Sequence, residues 1–309
     1  MSLWHKAVED YVEMRRSLGF KLLDAKVGLL DFASFLEQRG AAHITIALAM
    51  EWAQQDRTAR PAEWARRLSF IRRFARHWSA HDSQTEVPPS GLLPYRPGRA
   101  RPYLYSEEEV RQLLEAALQL PSAHGLRGPT YHCLLGLLAV SGLRISEARN
   151  LQTDDVDLDE GILTIRGAKF GKSRLVPIHP STCTILSDYA SRRDRFLARR
   201  PEIFFVSGRG TRLDGADVRR TFYCLSRQIG LRGASDSHGP RLHDFRHRFA
   251  VETLIQWYRS GQDIERRLPI LSTYLGHVHV SDTYWYLTAC PELMGLAVKR
   301  FEDYWEKQS

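Results

Sequence analysis

Residues 88–103 read Pro-Pro-Ser-Gly-Leu-Leu-Pro-Tyr-Arg-Pro-Gly-Arg-Ala-Arg-Pro-Tyr, and no other stretch constrains the fold as strongly. Proline locks φ and lacks an N–H, and glycine loses the most backbone freedom in a regular element. A run crowded with both therefore disfavours helix and strand alike. It divides the 309 residues into two parts, each of which must bury its own core. Arg96, Arg99 and Arg101 make the divider basic.

The part before it, residues 1–88, reads as all helix. Apolar residues recur at helical spacing near 4–18, 22–39, 45–55 and 62–79, with breaks at Gly19, Gly40 and Pro61. In the fourth segment Trp64, Leu68, Ile71, Ala75 and Trp78 form one apolar stripe, while Arg66, Arg73 and Arg76 fall on other faces with His77. A solvated basic face and a phosphate-binding face fit that pattern equally.

The part after it, residues 104–309, opens with Ser106 and Glu109, a capping box, followed by Val110, Leu113, Leu114, Ala117 and Leu118 at helical spacing. A buried helix is expected from Tyr131 to Val140, ending at Gly142. The period then shortens. Val156-Asp-Leu, Gly161–Arg166 and Arg174–Ile178 read as three strands joined by turns, and helix returns from Asp214 to Trp305. The expected fold is mainly helical with a small antiparallel sheet in the second part.

Bulk properties narrow the functional classes. A net charge of +8 and a pI of about 9.4 favour a polyanionic partner, although a merely basic soluble protein is the plainer reading. No apolar run approaches the ~20 residues of a membrane span. The N-terminus lacks the apolar stretch of a signal peptide. Four scattered cysteines without a CxxC pair point to reduced thiols and a cytoplasmic protein.

Three motifs carry chemistry: Ser141-Gly-Leu-Arg144-Ile-Ser-Glu147, Arg241-Leu-His243-Asp-Phe-Arg246-His247, and Leu275-Gly-His277 followed nine residues on by Tyr286. Attack of a phenol on a phosphodiester requires neutralisation of the phosphate, loss of the phenol proton, protonation of the leaving 5′ oxygen and a rigid site. Arginine suits the first task, because its planar fork grips two phosphate oxygens and keeps its charge. Arg144 and Arg246 are the candidates. His243 titrates near neutrality and can accept the phenol proton. His277 can donate to a phosphate oxygen, Lys169 can reach the leaving oxygen, and Tyr286 is the nucleophile. Taken singly, each is more commonly structural; order and spacing together carry the signal.

That combination resembles the tyrosine recombinase (phage integrase) family, with Lys169, Arg174-Leu-Val-Pro177 and the residues above as matching positions from about 104 to 305. The resemblance implies a C-shaped clamp of two domains around duplex DNA. It implies a 3′-phosphotyrosyl intermediate, a free 5′ hydroxyl, no ATP and usually no metal or other cofactor. It also implies a homotetramer on paired sites that exchanges strands through a Holliday junction, with a C-terminal helix that can be donated to a neighbour. Arg66, Arg73, Arg76, Arg96, Arg99, Arg101, Lys172 and Arg174 are then the expected DNA contacts, and the protein is expected at the nucleoid.

Some features depart from the family pattern. The span from Arg246 to His277 is long, and the surplus near 257–269 reads as an extended loop. The turn Ala168-Lys169-Phe170 leaves Lys172 as a rival acid, and Tyr284 is a rival nucleophile. The ending Trp285-Tyr286-Leu-Thr-Ala-Cys-Pro-Glu-Leu is closer to transposon-borne members. Other chemistries fit less well. His243 and His247 at i, i+4 suggest zinc, but Arg246 would place a cation beside it. Asp155-Val-Asp157-Leu-Asp159-Glu-Gly161 imitates a calcium loop with Gly one place late and Arg166 where Glu is needed. A type IB topoisomerase and an idle DNA-binding protein on the same fold remain as alternatives.

Overall fold

The computed structural model describes residues 2–93, 102–122, 125–167, 173–236, 238–288 and 291–306, and separates the chain into two compact units, 1–100 and 101–309. Arg96, Arg99, Arg101, Lys169 and Lys172 lie outside the described residues.

The first unit is a bundle of α1 (Leu3–Ser17), α2 (Leu23–Gln38), α3 (Ile46–Ala53) and α4 (Pro61–Trp78). Pro61 starts α4 rather than merely breaking the chain, because the N–H it lacks would be unpaired in a first turn anyway. Leu68, Ile71 and Ala75 of the stripe are buried, and Phe74 joins them against Tyr11 and Trp78. Arg73 and Arg76 are exposed, whereas Arg66 is engaged by Glu63 at 2.7 Å and Asp24 at 3.3 Å. Arg72 donates to the Pro88 and Pro89 carbonyls and so ties the exit of the unit to α4.

The second unit begins with α5 (Glu107–Leu118), capped by Ser106 and Glu109 as the motif predicts. Next come α6 (Arg127–Ser141), α7 (Ile145–Arg149) and the strands β1 (Val156–Asp157), β2 (Ile162–Ile165) and β3 (Arg174–Pro177). The strands pair antiparallel in the order β1-β2-β3, with Leu163 opposite Val176. The acids of the 155–161 run serve this turn. Asp157 accepts from the Asp159 and Glu160 amides, and Asp155 pairs with Arg166. After the sheet comes α8 (Pro180–Leu197), which the periodicity reading passed over; Pro180 opens it behind the His179 cap. Then follow α9 (Gly215–Gln228), α10 (Asp244–Arg259), α11 (Ile264–Leu275), α12 (Ser281–Tyr284) and α13 (Pro291–Glu306).

The surplus between Arg246 and His277 is not a long loop. It extends α10 to Arg259 and fills α11, leaving four linking residues, 260–263. Pro269 is accommodated within α11 while Leu268 and Leu271 beside it pack inward, so burial outweighs the lost backbone hydrogen bond. Two cores result. One joins α5, α6, the sheet, α8 and α9. The other joins α10 and α11 to Tyr286 and Leu293. Along α13, Leu293 is buried and Met294 is exposed.

Gly142 caps α6 at φ 60°, and a Cβ there would stand 2.6 Å from Phe249 Cδ1. The αL conformation and the closeness of α10 both require glycine. Gly142→Ala is expected to cost at least about 1–2 kcal/mol, read as a lowered midpoint in urea unfolding; an unchanged midpoint would show that α10 yields at this point.

Candidate active site

The site is built on the C-terminal end of α11. A helix leaves its last carbonyls without intrahelical partners. Here Gly276 turns at φ 68°, and the His277 amide closes back on the Ser272 carbonyl at 2.9 Å. The carbonyls of Tyr274, Leu275 and Gly276 are left for side chains, and three arginines take them. Arg174 Nε donates to Tyr274 O at 2.7 Å. Arg246 Nη2 donates to Leu275 O at 2.6 Å, and Arg144 Nη2 donates to Gly276 O at 3.1 Å. Arg246 Nη1 also reaches Gly142 O at 2.9 Å, joining the two helix ends through one guanidinium. The negative end of the α11 dipole favours this gathering of cations.

Glu147 balances part of the charge. Its carboxylate accepts from Arg144 Nη1 at 2.8 Å, Arg174 Nη2 at 2.9 Å and the Arg144 amide at 2.9 Å. Burial pushes its pKa up, but the hydrogen bonds from Arg174 and Arg144 and the Arg174 charge outweigh this and bring it to about 2. Arg174, expected as a DNA contact, faces inward as a brace between α11 and Glu147, its side chain only 9% exposed. Sequence reasoning quoted Glu147 in a motif but gave it no task. Its place three residues after Arg144, within one helical turn, was the available signal.

Arg246 is 1% exposed, and burial followed by repulsion from Arg144 lowers its pKa to about 10. The nearby Tyr286 hydroxyl acts against this lowering. Tyr286 lies in a short 3₁₀ turn, 285–288, and is 3% exposed. Its rival Tyr284 is 54% exposed and belongs to no core cluster. The Tyr286 ring stands 6.0 Å from the His277 ring, nearly parallel, and 5.4 Å from the His247 ring. His277 Nδ1 is fixed by Thr283 Oγ1 at 2.7 Å, leaving its other nitrogen for a ligand.

His243 stands at the start of α10, on an exposed rim, with its ring edge-to-face against His247 at 4.8 Å. Desolvation by the atoms packed around it, then the Arg246 charge, lower its pKa. Burial and the same two arginines bring His277 to about 4. Both imidazoles are therefore neutral at pH 7, able to accept or donate a hydrogen bond without adding to the repulsion. The structure thus brings Arg144, His243, Arg246, His277 and Tyr286 together in one positively charged neighbourhood, suited to a tetrahedral anion.

Because the Glu147 pKa is lowered from its ordinary 4.5 to about 2, it contributes stability that is complete above 4.5 and disappears as pH falls toward 2. Glu147→Gln should be less stable than the parent by roughly 3 kcal/mol at neutral pH. The gap should close over that acidic window in denaturant titrations at stepped pH. A gap that persists at pH 2 would mean that the ionised carboxylate is not the brace.

Comparison with known proteins agrees with this geometry. Residues 104–292 match the model of the phage integrase family. The Sinorhizobium fredii protein y4rB, described as an integrase/recombinase, is 59% identical over 314 residues, covering 100% of each chain. Tyrosine recombinase XerD of Caulobacter vibrioides is 30% identical over 292 residues, covering 92% of this chain and 90% of its own. Among solved structures, a lambda integrase tetramer bound to a Holliday junction aligns with TM-score 0.60 at 17% identity, over 90% of this chain and 76% of that one. With its arginines, histidines and tyrosine converging and its whole length matched, the chain belongs to the phage integrase family of tyrosine recombinases.

Proposed function

We propose that this protein is a site-specific DNA recombinase in which Tyr286 attacks a backbone phosphate and holds the cut strand as a 3′-phosphotyrosine. The observation that carries the reading is the burial of Tyr286 against the His277 ring and near Arg246, whose guanidinium shares the Leu275 carbonyl with that of Arg144. The two guanidiniums hold the non-bridging oxygens of the phosphate and stabilise the extra charge of the five-coordinate state. His277, with Nδ1 engaged by Thr283, donates from its other nitrogen to a phosphate oxygen. His243 accepts the phenol proton as the O–P bond forms, and Lys169 protonates the leaving 5′ oxygen. The family's recombinases and integrases set aside the type IB topoisomerase alternative.

On this reading residues 104–309 are the catalytic domain, 1–88 a DNA-binding domain and 89–103 the link between them, with both domains engaging duplex DNA. Arg73 and Arg76 are the exposed cations of α4 available to phosphates, with Arg66 joining them once released from Glu63 and Asp24. Arg96, Arg99, Arg101 and Lys172 extend the basic track. Arg174 serves the DNA indirectly, by holding Glu147 and α11. The working unit is a homotetramer on paired sites of a mobile element, acting at the nucleoid. The exposed Met294 and Val298 on α13 are consistent with exchange of that helix between subunits.

Tyr286→Phe should bind a nicked suicide duplex normally and form no covalent adduct on a denaturing gel, whereas Tyr284→Phe should form it. The opposite pattern would move the nucleophile to Tyr284. Arg246→Ala should slow adduct formation by on the order of 2–4 kcal/mol of transition-state stabilisation, measured in single-turnover cleavage; a near-normal rate would remove Arg246 from the clamp.

A further inference from the structure

One buried polar group at the site has no task in the mechanism above. His247 is 7% exposed, and its Nδ1 is buried without a hydrogen-bond partner. Buried polar atoms are nearly always paired, and an orphan costs stability. The ring is tightly flanked. His243 stands edge-to-face at 4.8 Å, Trp285 edge-to-face at 4.9 Å and Tyr286 tilted at 5.4 Å. A phenylalanine would satisfy such an apolar niche without the unpaired nitrogen.

The groups around it decide what that nitrogen can do. His247 follows Arg246 in the sequence and shares its niche with His243, while Arg241 and Asp244 pair at 2.7 Å nearby. Burial, then the proximity of His243, bring its pKa to about 4. A proton is therefore a poor cargo for it, but a hydrogen bond from a neutral donor is not. The donor that must move during the reaction is the Tyr286 hydroxyl, which passes from beside Arg246 to the phosphorus.

We propose that His247 is a positioning residue for Tyr286: its unpaired Nδ1 accepts a hydrogen bond from the tyrosine hydroxyl as the ring moves toward the scissile phosphate, and so aims the oxygen at the phosphorus. On arrival the hydroxyl swings its single hydrogen from His247 to His243, which takes the proton as the O–P bond forms, while His247 stays neutral with its own proton on Nε2. This rests on Tyr286 being the nucleophile.

The test uses the full-length protein with a nicked suicide duplex carrying the recombination site. His247→Phe fills the same niche without the nitrogen. It should unfold at an equal or higher temperature, bind the duplex as the parent does and form the covalent adduct roughly 10- to 100-fold more slowly, comparable to a lost transition-state contact. His247→Asn, which returns an acceptor oxygen near the Nδ1 position, should recover a measurable part of that loss despite its poorer packing. Parental cleavage by His247→Phe would overturn the proposal, as would an Asn variant no faster than Phe. Should His247→Phe prove less stable, the Asn variant decides: a rate above that of Phe supports the hydrogen bond, and an equal rate reduces His247 to packing. Tyr286→Phe run alongside separates the two readings. An adduct from it would defeat the nucleophile assignment itself, whereas its silence with a fully active His247→Phe would defeat only the present inference.

Discussion

Three arginines on the carbonyls that end α11 are the interaction on which the catalytic geometry depends. A helix terminus offers fixed acceptors and a negative potential. Arg246 uses it to join α10 to the ends of α6 and α11 at once. Arg144 and Arg174 use it to bring α7 and β3 to the same place. Cations that would otherwise repel one another are held together because each is bonded to rigid backbone and because Glu147 lies between two of them. The clamp is therefore set before an anion arrives, and little reorganisation is left for the moment of reaction.

The price of that preorganisation is carried by the neighbours. Burial lowers the pKa of both His243 and His277, and the concentrated positive charge adds to the effect. Neutral imidazoles can accept or donate a hydrogen bond without adding to the repulsion among the arginines. Tyr286 is buried in the second core of its unit together with Ala250 and Leu254. The same packing that builds the site thus also shields this phenol from water.

Gly142 and Gly276 show how backbone conformation serves this chemistry. Both take left-handed φ at helix ends, and in each a side chain would collide with a working neighbour, Phe249 in one case and the Arg174 guanidinium in the other. Gly142 stands two residues before Arg144 and Gly276 directly before His277, so the turn that ends each helix also places one of these side chains at the site.

The sequence alone determined the helical character of the first unit, the three-stranded sheet, the capping box at Ser106 and the candidate set of arginines, histidines and tyrosine. These depend on local periodicity, turn chemistry or residue type, which are written along the chain. It could not determine that residues 257–269 lengthen two helices, since helix and loop differ there by packing of Leu268 and Leu271 onto α10, a contact between distant residues. Spacing after His277 favoured Tyr286 over Tyr284, but the two are alike in chemistry, and only the fold turns one inward and the other to solvent. The inward turn of Arg174 and the unpaired nitrogen of His247 belong to the same class. Whether a charge or a polar atom finds a partner is decided by which backbone ends meet in space, and that is a property of tertiary structure rather than of spacing.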